Sequence, residues 1–252
     1  MICRRSNTPL HSHAVNILTS AKFIAYSWFQ QIRNLCIQYD LPHPIELLQS
    51  PPSKYSYKTY VKKKVMSFWE IKLRDEAAQL SSLDYFHPEY YSLTRPHPLW
   101  TTAGSSPYHV SQARVQASML SGQYPTERRC RFWSGNTNGY CLLPGCLDNE
   151  NCEDLKHILA ICPSLSHVRD RLNLFTLKCK EDCPVISDIL GKYCDTSHEN
   201  FIQFLIDCST LPEVISLRQS EGPQVLSDLF KVTRTWCYSL HKARLQLLGC
   251  NP

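Results

Sequence analysis

Cys130, Cys141, Cys146, Cys152 and Cys162 fall with His157 in one short stretch of a 252-residue chain. Cys141-Leu-Leu-Pro-Gly-Cys146, ten further residues and then His157-Ile-Leu-Ala-Ile-Cys162 offer three thiolates and one imidazole. This is a common donor set for structural zinc, an ion that takes tetrahedral sulfur and nitrogen ligands. Pro144-Gly145 predicts the tight turn that lets two thiolates converge. Glu153 to Ile161 predicts a short helix stopped by Pro163, with His157 on it, Cys162 just past its end, and Glu153 and Asp154 as favourable charges in its first turn. With four protein ligands the site is closed, so Zn2+ contributes folding energy and no catalytic water. Cys130 or Cys152 could replace Cys141 or Cys146, and the alternative is a set of unrelated buried cysteines around a satisfied histidine.

The other cysteines fit small buried side chains. The chain has 13, an odd number that cannot all pair internally, and Arg4-Arg5 leads into polar residues instead of a signal peptide's apolar stretch. An intracellular protein is expected, with nucleus and cytoplasm both fitting, and no membrane partner, since no run approaches the roughly 18 apolar residues of a spanning helix. With 8 glycines against 16 prolines, and neither a Gly-rich phosphate loop nor a GxSxG or HExxH pattern, no catalytic residue and no small-molecule substrate are assigned.

The elements that must position these residues read as helices, giving a mainly α, irregular multi-helix protein with a small zinc-stabilised loop-helix insert. Residues 1–22 read as a flexible N-terminus. Residues 23–100 read as a helical region with a long basic helix and a proline-rich strap, 101–163 as a helix plus the cysteine segment, and 164–252 as a C-terminal helical region. Ala21, Ala25, Trp28, Ile32, Leu35 and Tyr39 mark a helix over about 14–40. Tyr57, Val61, Val65, Trp69, Leu73, Ala77 and Leu80 mark a longer one whose stripe is expected to face the interior. Residues 84–107 read as an extended strap. Val110, Ala113, Ala117 and Leu120 mark a helix from Tyr108 that ends near Gly122. Leu226, Leu229, Phe230, Thr233, Trp236, Cys237, Leu240 and Leu247 mark the last helix, opened by Pro223 and stopped at Gly249.

Charge is uneven along this frame. The net formal charge is +5, yet residues 54–74 alone carry an excess of six positive charges. Lys58, Lys62, Lys63 and Lys64, interleaved with tyrosines, are candidate phosphate contacts, as are Arg128, Arg129 and Arg131 beside the cysteine segment. Lys231, Arg234, Lys242 and Arg244 form a second basic excess that could also face an anionic polymer.

The run Gln116-Ala-Ser-Met-Leu-Ser-Gly-Gln-Tyr-Pro-Thr-Glu-Arg-Arg-Cys-Arg-Phe-Trp, then Gly139-Tyr-Cys-Leu-Leu-Pro-Gly-Cys and Asp154-Leu-Lys-His-Ile-Leu-Ala-Ile-Cys-Pro, resembles the region after the polymerase domain in LINE-type, non-LTR retrotransposon reverse transcriptases. Ser27-Trp-Phe-Gln-Gln-Ile-Arg, Arg95-Pro-His-Pro-Leu-Trp and Arg234-Thr-Trp-Cys-Tyr-Ser-Leu-His extend the resemblance over about residues 23 to 249. It implies a zinc-knuckle-like segment with ligands at Cys141, Cys146, His157 and Cys162, although the gap between the first two is wider than the family's usual one. The chain has no Asp-Asp dipeptide, so the family's RNA-directed DNA polymerase centre is missing and the chain is not expected to be an enzyme. The expected function is a zinc-stabilised nucleic-acid-binding segment, with RNA or DNA as partner. The alternatives are an α-helical scaffold for a protein partner, or a degenerate retroelement remnant with no selected function.

Overall fold

The structure is a computed structural model that describes residues 28–80, 83–92, 95–146, 152–195, 197 and 199–250. The expected flexible N-terminus, and the part of the first helix before Trp28, lie outside the described residues. Those residues fold mainly as α-helices, with no named strand among them and one isolated bridge between Tyr140 and Cys152. The chain divides into two compact units, residues 1–76 and 77–252.

The first unit contains α1 (Trp28–Gln38), α2 (Pro44–Gln49) and most of α3 (Lys54–Gln79). His43 caps α2 through its Nδ1, which accepts the Ile45 N–H at 3.3 Å, and Pro44 suits the first turn because its missing N–H has no partner there. Cys36, Pro44 and Leu48 are buried, Tyr39 meets Phe68 edge to face at 5.0 Å, and Lys64 pairs with Asp40 at 2.5 Å. Two expectations are corrected in this unit. Trp28 and Leu35 are exposed, and no residue of α3 is fully buried: along its stripe Tyr57, Val61 and Val65 are half-buried, while Trp69 and Leu73 are exposed. Among the described residues of this unit, α1 and α2 are too short to cover α3, which runs about 39 Å at 1.5 Å per residue.

The second unit has a real core. A strap with a short 3-10 turn at Pro88–Tyr90 leads into α4 (Pro98–Thr101), then α5 (Pro107–Leu120) and α6 (Glu127–Ser134). After the cysteine segment come α7 (Ser166–Asp182), α8 (Ser187–Tyr193), α9 (Phe201–Asp207), α10 (Pro212–Glu221) and α11 (Gln224–Leu247). The amphipathic pattern of α11 explains its central place. Leu226, Leu229, Phe230, Trp236, Cys237 and Leu240 are buried on it, and α5, α7, α9 and α10 pack around it. One hydrophobic core runs from Leu99 to Leu240, so the cysteine segment and the C-terminal helices share it.

Several polar side chains inside this core are bonded to distant partners. Gln116 donates to the Leu205 carbonyl at 2.7 Å and to Thr233 at 3.1 Å, and the Trp236 indole donates to Thr176 at 3.0 Å. Each removes the penalty of an unmade bond in an apolar setting. The strap is fixed the same way: the Asp207 carboxylate accepts from Tyr91 and, at 2.7 Å, from the Ser209 hydroxyl, with His97 3.5 Å away.

Candidate metal centre

Cys141, Cys146, His157 and Cys162 converge. All four are buried, and their ligand atoms lie within 4.8 Å of one another. Cys146 Sγ is 3.4 Å from His157 Nε2 and 3.5 Å from Cys162 Sγ. A tetrahedron with bonds of about 2.3 Å has edges of about 3.8 Å, so the donors have the spacing of a closed four-coordinate site. Cys130 is half-buried and Cys152 exposed, and neither belongs to the cluster.

Each ligand is placed by local chain geometry. Pro144–Cys146 forms a 3-10 turn closed by the Cys146 N–H on the Leu143 carbonyl at 2.8 Å, which is the expected Pro-Gly turn. Gly145 donates its N–H to Ser164 Oγ at 3.0 Å, and a Cβ at Gly145 would lie 2.9 Å from that oxygen. Close approach of backbone to side chain is therefore why glycine stands here. The ligand helix opens with Asp154, whose carboxylate accepts the His157 N–H at 2.8 Å.

From His157 to Ile161 the helix is of π type, closed by the Cys162 N–H on the His157 carbonyl at 2.7 Å. On an α-helix, residues five apart point about 140° from each other at 3.6 residues per turn. The wider π turn brings them toward the same side, which lets HxxxxC supply two ligands to one ion. Ile158, Leu159 and Leu165 are fully buried and anchor this segment in the core.

Burial governs the protonation of the cluster. Burial pushes the Cys141 and Cys162 thiols up, while the Leu143 and Ser164 backbone N–H groups beside their sulfurs pull the other way. Without an ion the thiol form is favoured, so an ion must displace protons to bind. Burial pushes His157 down against the pull of Asp154 and Glu153, keeping the imidazole neutral, as a ligand must be. The buried Arg169 guanidinium donates to the Cys162 carbonyl at 2.6 Å and lies close enough to the sulfur to offset its negative charge.

Glu153 differs from its expected role. Its carboxylate is fully buried, accepts the Glu127 N–H at 2.9 Å and meets Arg244 at 2.6 Å, so it joins the cluster to α6 and α11. Arg234 and Arg244 are correspondingly buried, Arg234 on Thr102 at 2.9 Å, which removes both from the surface where the sequence suggested contact with an anionic polymer. No periodicity marks a buried arginine, and for Arg244 only its acidic partner Glu153 could have suggested one.

Of the candidate phosphate contacts, Lys58, Lys62 and Lys63 are exposed on α3, and Lys64 is held by Asp40. Arg128 and Arg131 are exposed on α6, and Arg129 is half-buried over the Trp133 ring at 5.2 Å. Sequence reasoning passed over Phe132 and Trp133 as potential contacts, although both are exposed on the same helix. No helix among the described residues is long and apolar enough to cross a membrane. No family model, curated protein or solved structure matches the chain.

Proposed function

We propose that this chain is a zinc-stabilised nucleic-acid-binding module of the kind that follows the polymerase in non-LTR retrotransposon reverse transcriptases, without polymerase activity of its own. The observation that carries the reading is the convergence of Cys141, Cys146, His157 and Cys162 directly beside an arginine-rich helix. Zinc is the ion this donor set suits best, because three soft thiolates and one imidazole disfavour calcium or magnesium. The ion holds Cys141, the 144–146 turn and the His157 helix together. Glu153 transmits that order to α6, where Arg128, Arg129 and Arg131 meet phosphates. The test is binding to labelled RNA and DNA over a salt series, with and without chelator. Affinity falling steeply with salt and lost on chelation supports the reading; salt-insensitive or absent binding contradicts it.

A second reading has its own observation. α3 is 26 residues long with none buried, and it exposes Tyr55, Trp69, Ile71 and Leu73 among its lysines. A helix with such a face can serve a protein partner as a scaffold. In that case substitution of Ile71 and Leu73 abolishes a complex while nucleic-acid binding is unchanged or absent.

A further inference from the structure

The helix α6 combines rigid support with an aromatic edge left in solvent. Its N-terminus is fixed by the Thr126 hydroxyl, which accepts the Arg129 N–H at 3.1 Å, and by Glu153 on the Glu127 N–H. Its C-terminus ends on Gly135 in the left-handed conformation, φ 67°, with the Gly135 N–H on the Arg131 carbonyl at 3.0 Å. On this short rod Phe132 is 78% exposed and Trp133 52% exposed. Arg129 lies over the Trp133 ring, while Phe132, the more exposed of the two, is left as open apolar surface on a well-capped helix.

Phe132 and Arg128 line two open clefts at once. One, of about 270 Å³, is completed by Tyr85, Gly122, Arg129 and Lys156; the other, of about 530 Å³, by Arg131, Asn138, Gly139 and Tyr140. The Phe132 ring thus forms a ridge between two hollows, with Arg128, Arg129, Arg131 and Lys156 around it. Asp84 and Asp154 also line the first cleft, and Asp154 is engaged by Arg128 at 3.4 Å and by the His157 N–H. Cations outnumber the acids, which selects a polyanion over an acidic-poor peptide. A flat ring flanked by hollows meets a base face. In a duplex that face is already stacked on neighbouring bases, so an unpaired strand is what fits.

We propose that α6 is a stacking platform for single-stranded nucleic acid, with one base on Phe132, its neighbours in the two clefts, and phosphates met by Arg128 and Arg131. This rests on the nucleic-acid reading above and adds which form of the polymer is taken and which residue reads it. Stacking of this kind tolerates any base, because every base has a π face.

The test uses the full chain, fluorescein-labelled 12-nucleotide RNA and DNA single strands and the duplexes of the same sequence, measured by anisotropy. Unchanged metal content and melting in each variant establish that it is folded. The single strands are expected to bind more tightly than the duplexes. Phe132→Ala should weaken single-strand binding about tenfold without changing the salt dependence, and Phe132→Trp should retain it. Arg131→Ala should reduce the salt slope by about one phosphate contact. Equal affinity for both forms, or a Phe132→Ala variant that binds like the wild type, overturns the platform and leaves the broader reading standing. No binding of either form at low salt overturns both.

Discussion

Arg244, near the end of the last helix, places its guanidinium 2.6 Å from the carboxylate of Glu153, 91 positions earlier and four residues before the ligand His157, and both side chains are buried. Glu153 also holds the start of α6, so one carboxylate ties the cluster, the arginine-rich helix and the core helix together. A buried pair of this kind adds little over an apolar pair, yet breaking it is costly because the surviving charge has no compensation.

Glu153→Ala is therefore expected to lose about 3–5 kcal/mol of stability in urea unfolding. The double variant Glu153→Ala, Arg244→Met should recover most of that loss. If the double variant is as unstable as the single one, the ion pair is not the linchpin described.

Gly145→Ala should destabilise the cluster, since the new methyl would meet Ser164 Oγ at 2.9 Å and push the Cys146 turn outward. A loss of about 1–3 kcal/mol is expected, together with weaker metal binding. Adding Ser164→Ala removes the clashing oxygen and should restore part of the affinity, measured by competition with a chromogenic chelator. Lack of any rescue would locate the effect elsewhere.

Metal uptake should release protons, because burial favours the thiol forms of Cys141 and Cys162. In weak buffer near neutral pH, adding zinc to the metal-free protein is expected to acidify the solution. Each unit of falling pH should weaken the apparent affinity more than tenfold, the slope for expelling more than one proton. A flat profile would mean that the thiolates do not bind the ion.

Asp207 and His97 should give opposite pH dependences over one range. Burial pushes Asp207 up to about 6, so as pH rises from about 4 to 6 the unfolded chain loses this proton first and stability falls. Burial pushes His97 down to about 4, so as pH falls from about 6.5 to 4 the unfolded chain gains a proton first and stability falls. The two nearly cancel in the wild type. Asp207→Asn leaves only the histidine, and its stability should drop more steeply than the wild type's on acidification from pH 6.5 to 4, followed by thermal melting.

Several features were legible in the residues alone. The Leu226-to-Leu240 stripe announced α11 because a helix that fills a core needs apolar residues at that period. The donor set was legible because few side chains bind metal and chain distance limits how they converge. The choice between Cys141 and Cys152 was not legible, since it depends on a turn at Pro144–Cys146 and a bridge from Tyr140 to Cys152. Gln116 is buried on α5 where the pattern favoured Val110 and Ala117, because its partners Leu205 and Thr233 come from distant parts of the chain. The α3 stripe misled for the opposite reason: a pattern describes a face and says nothing of what covers it.

The central claim is that Cys141, Cys146, His157 and Cys162 form one metal centre, and metal content per chain tests it most directly. Elemental analysis of protein purified without added metal is expected to find about one zinc per wild-type chain, lost in His157→Ala and in Cys162→Ala. A folded wild-type protein that carries no metal and takes up none on zinc addition would contradict the account.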